Sequence, residues 1–214
     1  MDKSALAGAI HTFFSARYTT VENLTEGDVI FTFGRADPEV AMTASAVYKA
    51  GMAQVIVVTG GIGKDSGLLP QLGLSEAGYL IALMLQEGVS PTHIFGEFAA
   101  KNGGENCRNG IALLRAQELI VDEQEREPSM ILVGHWASLY RLYEMMQTEG
   151  RKLHFAASYQ LVPTPRPEVL DEKDIAELIA EFGRLVNWPE KGMLDDVDLP
   201  KDLVQAFKEF EAAS

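Results

Sequence analysis

Val55-Ile56-Val57-Val58-Thr59-Gly60-Gly61 is the stretch on which the fold turns. Four consecutive β-branched apolar residues pack well on a pleated surface and leave no polar face, so they read as a strand buried on both sides. Thr59-Gly60-Gly61 then marks its end. Strands of this kind belong to parallel sheets covered by helices.

The alternation extends in both directions. Val29-Ile30-Phe31-Thr32-Phe33 is a second short run, ending at Gly34, and Val40 to Ala50 reads as a helix stopped by Gly51. After a loop from Ile62 to Leu74, Ser75 begins a helix that runs to Glu87 and closes at Gly88. Thr92 to Phe95 makes a third strand. Cys107 to Leu119 makes a helix that leads into the acidic stretch Asp122 to Glu127. Met130 to Val133 is a fourth strand ending at Gly134-His135. Trp136 to Gln147 follows as helix and Leu153 to Ala157 as a fifth strand. At the start of the chain, residues 2–17 form an amphipathic helix with Leu6, Ile10, Phe13 and Phe14 along one side.

Repeated strand–helix alternation argues for an α/β fold with a doubly wound, mostly parallel sheet of about five strands. Right-handed crossovers would gather the strand C-termini on one edge, where open α/β sheets bind their ligands. From Val162 the pattern changes. Pro163, Pro165 and Pro167 make a stiff connection, and Leu170 to Val186 and Pro200 to Ala213 read as helices. The expected division is an α/β domain over 1–160 and a helical C-terminal extension over 161–214, packing back on the sheet or contributing to a homodimer.

The chain has 214 residues and a formal net charge of −13, with 31 acidic against 18 basic residues. Such a surface repels phosphate backbones and argues against nucleic-acid binding. Cys107 is the only cysteine, so no intrachain disulfide forms and a reducing compartment fits. No stretch approaches the roughly 20 apolar residues of a membrane span, and the N-terminus does not resemble a signal peptide. A cytoplasmic protein without a membrane partner is expected.

The segment after the third strand, Glu97-Phe98-Ala99-Ala100-Lys101-Asn102-Gly103-Gly104-Glu105-Asn106, concentrates polar chemistry at that edge. Glu97 ends an apolar strand and needs a partner or water. Asn102 and Asn106 can donate and accept, which suits a sugar hydroxyl, a purine edge or a loop clamp. Glu105 is either a ligand group or a cap for the next helix. Gly60-Gly61-Ile62-Gly63 lets the backbone approach a ligand, with amides able to hold an anion, although a tight turn explains it equally well. Gly63-Lys64-Asp65 does not complete a Walker A loop. Glu76 opens a helix near the same edge, where it is either a first-turn acid or a site residue.

Gly34 and Gly134 end the first and fourth strands at that edge. His135 could act as a proton carrier or serve the structure, and Arg141 could hold a carboxylate or phosphate. His135, Glu97 and Glu105 are thus the candidate catalytic residues. Four scattered histidines and one cysteine give no zinc spacing, and no metal is expected. Cys107 reads as a small core residue.

These segments resemble the bacterial SanA/ElyC/YdcF family of unknown function, and most of all its soluble YdcF-like branch. The resemblance runs from about Val29 to Arg141. It rests on Phe33-Gly34, Val57-Val58-Thr59-Gly60-Gly61, Ser75-Glu76-Ala77, then Glu97, Asn102 and Glu105-Asn106, and the segment around Arg141. It implies a Rossmann-like three-layer α/β/α fold with a polar pocket at the strand C-termini. An acid expected after the first strand falls at Asp37. The family's arginine is kept at Arg141, and its preceding histidine position is Ser138.

The first expectation is a protein binding a small nucleotide-type or adenosyl ligand, S-adenosylmethionine among them, through Gly34, Gly60, Gly61, Gly63, Glu76, Glu97, Asn102, Glu105, Asn106, Gly134 and Arg141. The alternative is a hydrolase or transferase acting on a phosphorylated or glycosyl substrate, with a glutamate as base and His135 moving the proton. The third is a non-catalytic regulatory or interaction protein whose polar cluster only braces loops.

Overall fold

The protein is described here by a computed structural model covering residues 2–63, 66–120 and 126–213; Lys64, Asp65 and Asp122 to Glu125 of the acidic stretch lie outside it. Five strands, β1 (Val29–Thr32), β2 (Ile56–Thr59), β3 (Ile94–Glu97), β4 (Ser129–Gly134) and β5 (Ser158–Pro163), form one parallel sheet in the order β3-β2-β1-β4-β5. Seven helices surround it among the described residues: α1 (Lys3–Ser15), α2 (Pro38–Lys49), α3 (Glu76–Gln86), α4 (Gly103–Ala116), α5 (Leu139–Lys152), α6 (Glu172–Asn187) and α7 (Lys201–Ala213).

Successive strand residues face opposite sides, and each side has its own core. Val29 and Phe31 pack with Val57, Met130 and Leu132 beneath α1, α4, α5, α6 and α7. Ile30 packs with Ile56, Val58, Ile131 and Val133 beneath α2 and α3. All four residues of β1 and of β2 are buried, as their unbroken apolar runs require. The result is a Rossmann-like three-layer α/β/α fold. Each such side chain taken out of water contributes about 2 kcal/mol.

The helices start where short polar side chains can take a first-turn amide. Asp2 accepts from Ala5 N at 2.7 Å, Asp37 from Glu39 N at 3.0 Å, and Ser75 from Gly78 N at 3.0 Å. At α6, Asp171 and Asp174 cap each other's backbone in a reciprocal box. The C-terminal helices share the core of the larger layer, where Phe182 of α6 meets Phe207 of α7.

Three elements differ from the sequence reading. Helix α4 begins at Gly103 rather than Cys107, because Asn102 supplies the cap and the two glycines form its first turn. Helix α5 begins at Leu139 rather than Trp136, because the amides of Ser138 and Leu139 both close onto His135 O in a turn. It then runs to Lys152, and the fifth strand lies at Ser158–Pro163 rather than 153–157. His154 takes φ 52° and Phe155 N returns to Gly150 O, so the apolar residues there finish a helix instead of making a strand. β5 therefore straddles residue 160. No helix among the described residues is long and apolar enough to cross a membrane.

Candidate functional site

In the order β3-β2-β1-β4-β5 the connections reverse direction between β1 and β4, and a crevice opens beyond the C-terminal ends of those two strands. Phe33-Gly34-Arg35 leave β1 and His135 leaves β4 at this point. They line a cavity of about 270 Å³ whose far wall comes from the start of α4 and from α5 and α6. Gly34, Gly63, Glu76, Asn102, Asn106, His135 and Arg141 all line it, so the structure brings together seven residues singled out from the sequence.

Gly60, Gly61, Glu97, Glu105 and Gly134 are not part of the lining, and their partners explain why. Glu97 turns its carboxylate back into its own loop, accepting from Ala99 N at 2.8 Å, Ala100 N at 3.1 Å and Asn109 Nδ2 at 3.1 Å. Glu105 accepts from Lys101 N and Asn102 Nδ2, both at 2.8 Å, while its own amide goes to Asn102 Oδ1. The backbone hydrogen bond from Lys101 is the main cause that holds Glu105 below the usual carboxylate range. Both glutamates expected as proton-transfer groups thus brace the strand-to-helix loop.

For the glycine loop, the hydrogen bonds favour the tight turn over the anion cradle, the two alternatives that its sequence left open. Gly60 N donates to Glu97 O at 3.0 Å, Gly61 N to Ala100 O at 2.7 Å and Gly63 N to Ser66 Oγ at 2.8 Å. None of these amides is left for an anion, and the loop serves as a tight turn. Gly60 adopts φ 132°, and Glu76, buried at the head of α3, lies over it and Gly34. Ser66 donates to Glu76 Oε1 at 2.8 Å.

The charged wall comes largely from residues beyond the expected set. Arg35 forms a two-pronged pair with Glu177 of α6, at 2.7 and 3.0 Å. Glu181, 4% exposed, accepts from both Arg141 and Arg184, and the Trp188 ring packs beside both guanidinium groups at 5.5 and 5.8 Å. The lining carries Arg35, Lys101, Arg141 and Arg184 against Glu76 and Glu181. With Glu177 paired to Arg35 just behind the lining, four cationic side chains face three carboxylates, a small local excess of positive charge in a chain of net charge −13.

His135 Nδ1 lies 3.5 Å from Glu177 and Nε2 3.9 Å from Asp37. Burial, aided by the Arg35 charge, lowers its pKa below the ordinary histidine value despite these carboxylates, and the imidazole is neutral at pH 7. Burial works against ionised Glu177, but the hydrogen bonds and charge of Arg35 prevail and hold its pKa low. Ser138 also lines the cavity and is buried.

Arg35, Glu177, Glu181, Arg184 and Trp188 were not anticipated. For the residues of α6 the one visible signal is spacing: 177, 181 and 184 fall on a single face, with Trp188 at the helix's C-terminal cap. Charged residues on one helix face ordinarily mean a solvated surface, and only the structure shows this face turned to the crevice. Cys107 is fully buried, and burial raises its thiol pKa, as befits a core residue. No cluster of three or more His, Cys, Asp or Glu able to hold a metal occurs among the described residues. No protein-family model matches the chain, and a search of curated proteins finds no match.

Proposed function

We propose that this protein binds a small nucleotide-type anion in the crevice between the ends of β1 and β4. The observation that carries this reading is the cavity's position and charge together: it lies at the reversal point of a parallel sheet and is lined by Arg35, Lys101, Arg141 and Arg184. Its volume of about 270 Å³ suits a compact ligand, since pockets for drug-sized molecules start at roughly 300 Å³. Of the two ligand types considered, a nucleoside monophosphate matches the charge better than S-adenosylmethionine, whose sulfonium would face guanidinium groups. Trp188 adds an aromatic ring to the lining.

A thermal-shift panel of AMP, adenosine, S-adenosylmethionine and inorganic phosphate tests this. At 100 times its Kd, AMP should stabilise the fold by about 2.7 kcal/mol. The shift should shrink in Arg184→Ala. No shift with any compound would refute the reading.

One observation favours a second reading, a hydrolase or transferase acting on a phosphorylated or glycosyl substrate. His135 is neutral, lies in the cavity, and has carboxylates near both ring nitrogens. That arrangement suits general base chemistry. Turnover of a phosphate ester, lost in His135→Gln, would establish it.

A further inference from the structure

Helix α3 is apolar on a flank that its own chain leaves open. Ala77 to Gln86 reads Ala-Gly-Tyr-Leu-Ile-Ala-Leu-Met-Leu-Gln, without one charged residue. A helix that is hydrophobic all round is normally enclosed. Ala77, Leu80 and Met84 face the sheet and are buried. Gly78, Ile81, Ala82 and Leu85 form a second stripe, at the i, i+3, i+4, i+7 spacing of a packing face. Gly78 and Ile81 are half-buried, Ala82 is exposed and Leu85 is 43% exposed.

This stripe looks over the edge of the sheet. On one flank of α3, Glu87 reaches Lys49 of α2 at 2.8 Å. On the other, Ile81 Cδ1 would lie 2.8 Å from a Cβ built on Gly96 of β3. Phe98, 56% exposed, lays its ring over the same glycine. β3 ends the sheet, and all of its residues are half-buried. Gly60 N donates to Glu97 O, so Phe95 and Glu97 bond β2 while Ile94 and Gly96 turn their amides and carbonyls outward. An open edge is a template for another strand, and β3 has neither the lysine nor the proline that often blocks one.

We infer that the α3 stripe and the β3 edge together bind a second copy of this chain, about a two-fold axis perpendicular to the sheet. β3 pairs antiparallel with its counterpart, Ile94 of each copy opposite Gly96 of the other, and the two sheets become one. Such an axis keeps both α3 helices on the same face of the joined sheet. α3 packs on β2 and β3 alike, so it is centred between them. With strands about 4.8 Å apart, α3 lies about 4.8 Å from the axis and its copy roughly 10 Å away, the separation of packed helices. One operation thus satisfies the strand edge and the helix stripe at once. Ile81 stands beside Gly96, so the middle of the stripe and the middle of the strand fall at the same level.

Charge selects the occupant. Two copies of a chain of net charge −13 repel each other and can meet only where both are uncharged. The stripe, Ile94, Gly96 and Phe98 carry no charge, and the Glu97 carboxylate is turned into its own loop. A basic partner would be drawn to the acidic surface elsewhere on the chain.

Sedimentation equilibrium of the full chain, from about 1 to 100 μM, tests this where a micromolar Kd shows as a change of mass. The mass should rise with concentration toward twice the 23.4 kDa of one chain. Added salt should tighten the pair, because it screens the repulsion between two acidic chains. Ala82→Glu and Leu85→Glu each place like charges across the axis and should raise the Kd at least tenfold. Both positions are exposed, so circular dichroism of the dilute variants should match the parent. Val169→Glu, at a residue 84% exposed in the connection from β5 to α6, should leave the Kd unchanged. A monomer at every concentration would overturn the second copy as occupant. A dimer that survives both α3 variants, or that salt loosens, would overturn this face as its interface.

Discussion

A Cβ built on Gly34 would lie 2.8 Å from the Cα of Gly60, and one built on Gly60 would lie 2.9 Å from the Cα of Gly34. The ends of β1 and β2 therefore meet backbone to backbone beneath the carboxylate of Glu76. A methyl at Gly34 would also press to 2.3 Å of Thr59 O. None of these neighbours is the far end of a flexible side chain, so the strands themselves must separate. Gly34→Ala should cost about 3 kcal/mol, at the upper end of overpacking effects. Gly60→Ala should cost more, because its φ of 132° adds backbone strain. Urea unfolding of both variants checks the order.

Glu97 bonds two loop amides and Asn109, and it does not reach the cavity. Glu97→Ala should therefore destabilise by about 1–3 kcal/mol through the lost charge-assisted bonds. Ligand affinity should stay within twofold of the parent at a temperature where both are folded. A large affinity loss in a stable variant would return Glu97 to the site.

The Glu181 bridge predicts a graded series. Its side chain is 5% exposed, Arg141 is 11% exposed and Arg184 is 36% exposed. Removing Glu181 leaves two guanidinium groups facing each other, and breaking a buried pair costs about 3–5 kcal/mol. Glu181→Ala should lie in that range, Arg141→Ala below it, and Arg184→Ala at about 1 kcal/mol, since Arg184 is the more exposed of the two guanidinium groups and solvent screens it. Denaturation midpoints of the three variants test the ranking.

Acidification should weaken the fold in two stages. The pKa of His135 is lowered in the folded state, so its contribution is complete above pH 6.5 and declines as pH falls below that value toward the folded pKa. Glu177 is also lowered, so its contribution is complete above about pH 4.5 and is lost below it. His11 is lowered too, by burial and by Arg166, and acts in the first window. Unfolding free energies from pH 8 to 5 should slope less in His135→Gln than in the parent, with a residual slope from His11.

Cys107 should be inert in the native protein. It is fully buried and its thiol pKa is raised, so thiolate is scarce and shielded. Labelling by a thiol reagent should follow global unfolding and accelerate with urea. Rapid labelling without denaturant would contradict this packing.

Most of the sheet was legible because β1, β2 and β4 are covered on both faces and thus spelled in unbroken apolar residues. β5 was not, since this edge strand begins Ser158-Tyr159-Gln160 with exposed and half-buried positions. The stronger apolar signal just before it belongs to the end of α5. At the site, Gly34, Glu76, Asn106 and Arg141 were legible because a parallel sheet gathers its strand-to-helix loops on one edge. The roles of Glu97 and Glu105 were not. A carboxylate that binds ligand and one that caps a loop look alike in sequence, and only the neighbouring amides decide. Glu177, Glu181 and Arg184 lay hidden in an ordinary-looking amphipathic helix, more than 30 residues beyond Leu142, the preceding residue of the lining.

That late contribution bears on the order in which the molecule is made. A nascent chain that has emerged through β5 already holds all five strands, but it lacks the side chains that neutralise Arg35 and Arg141, because Glu177 and Glu181 come from α6. Domains fold as units, and α6 also places Leu178 and Phe182 in the larger core. The carboxylates that hold Arg35 and Arg141 therefore arrive with the helix that completes that layer.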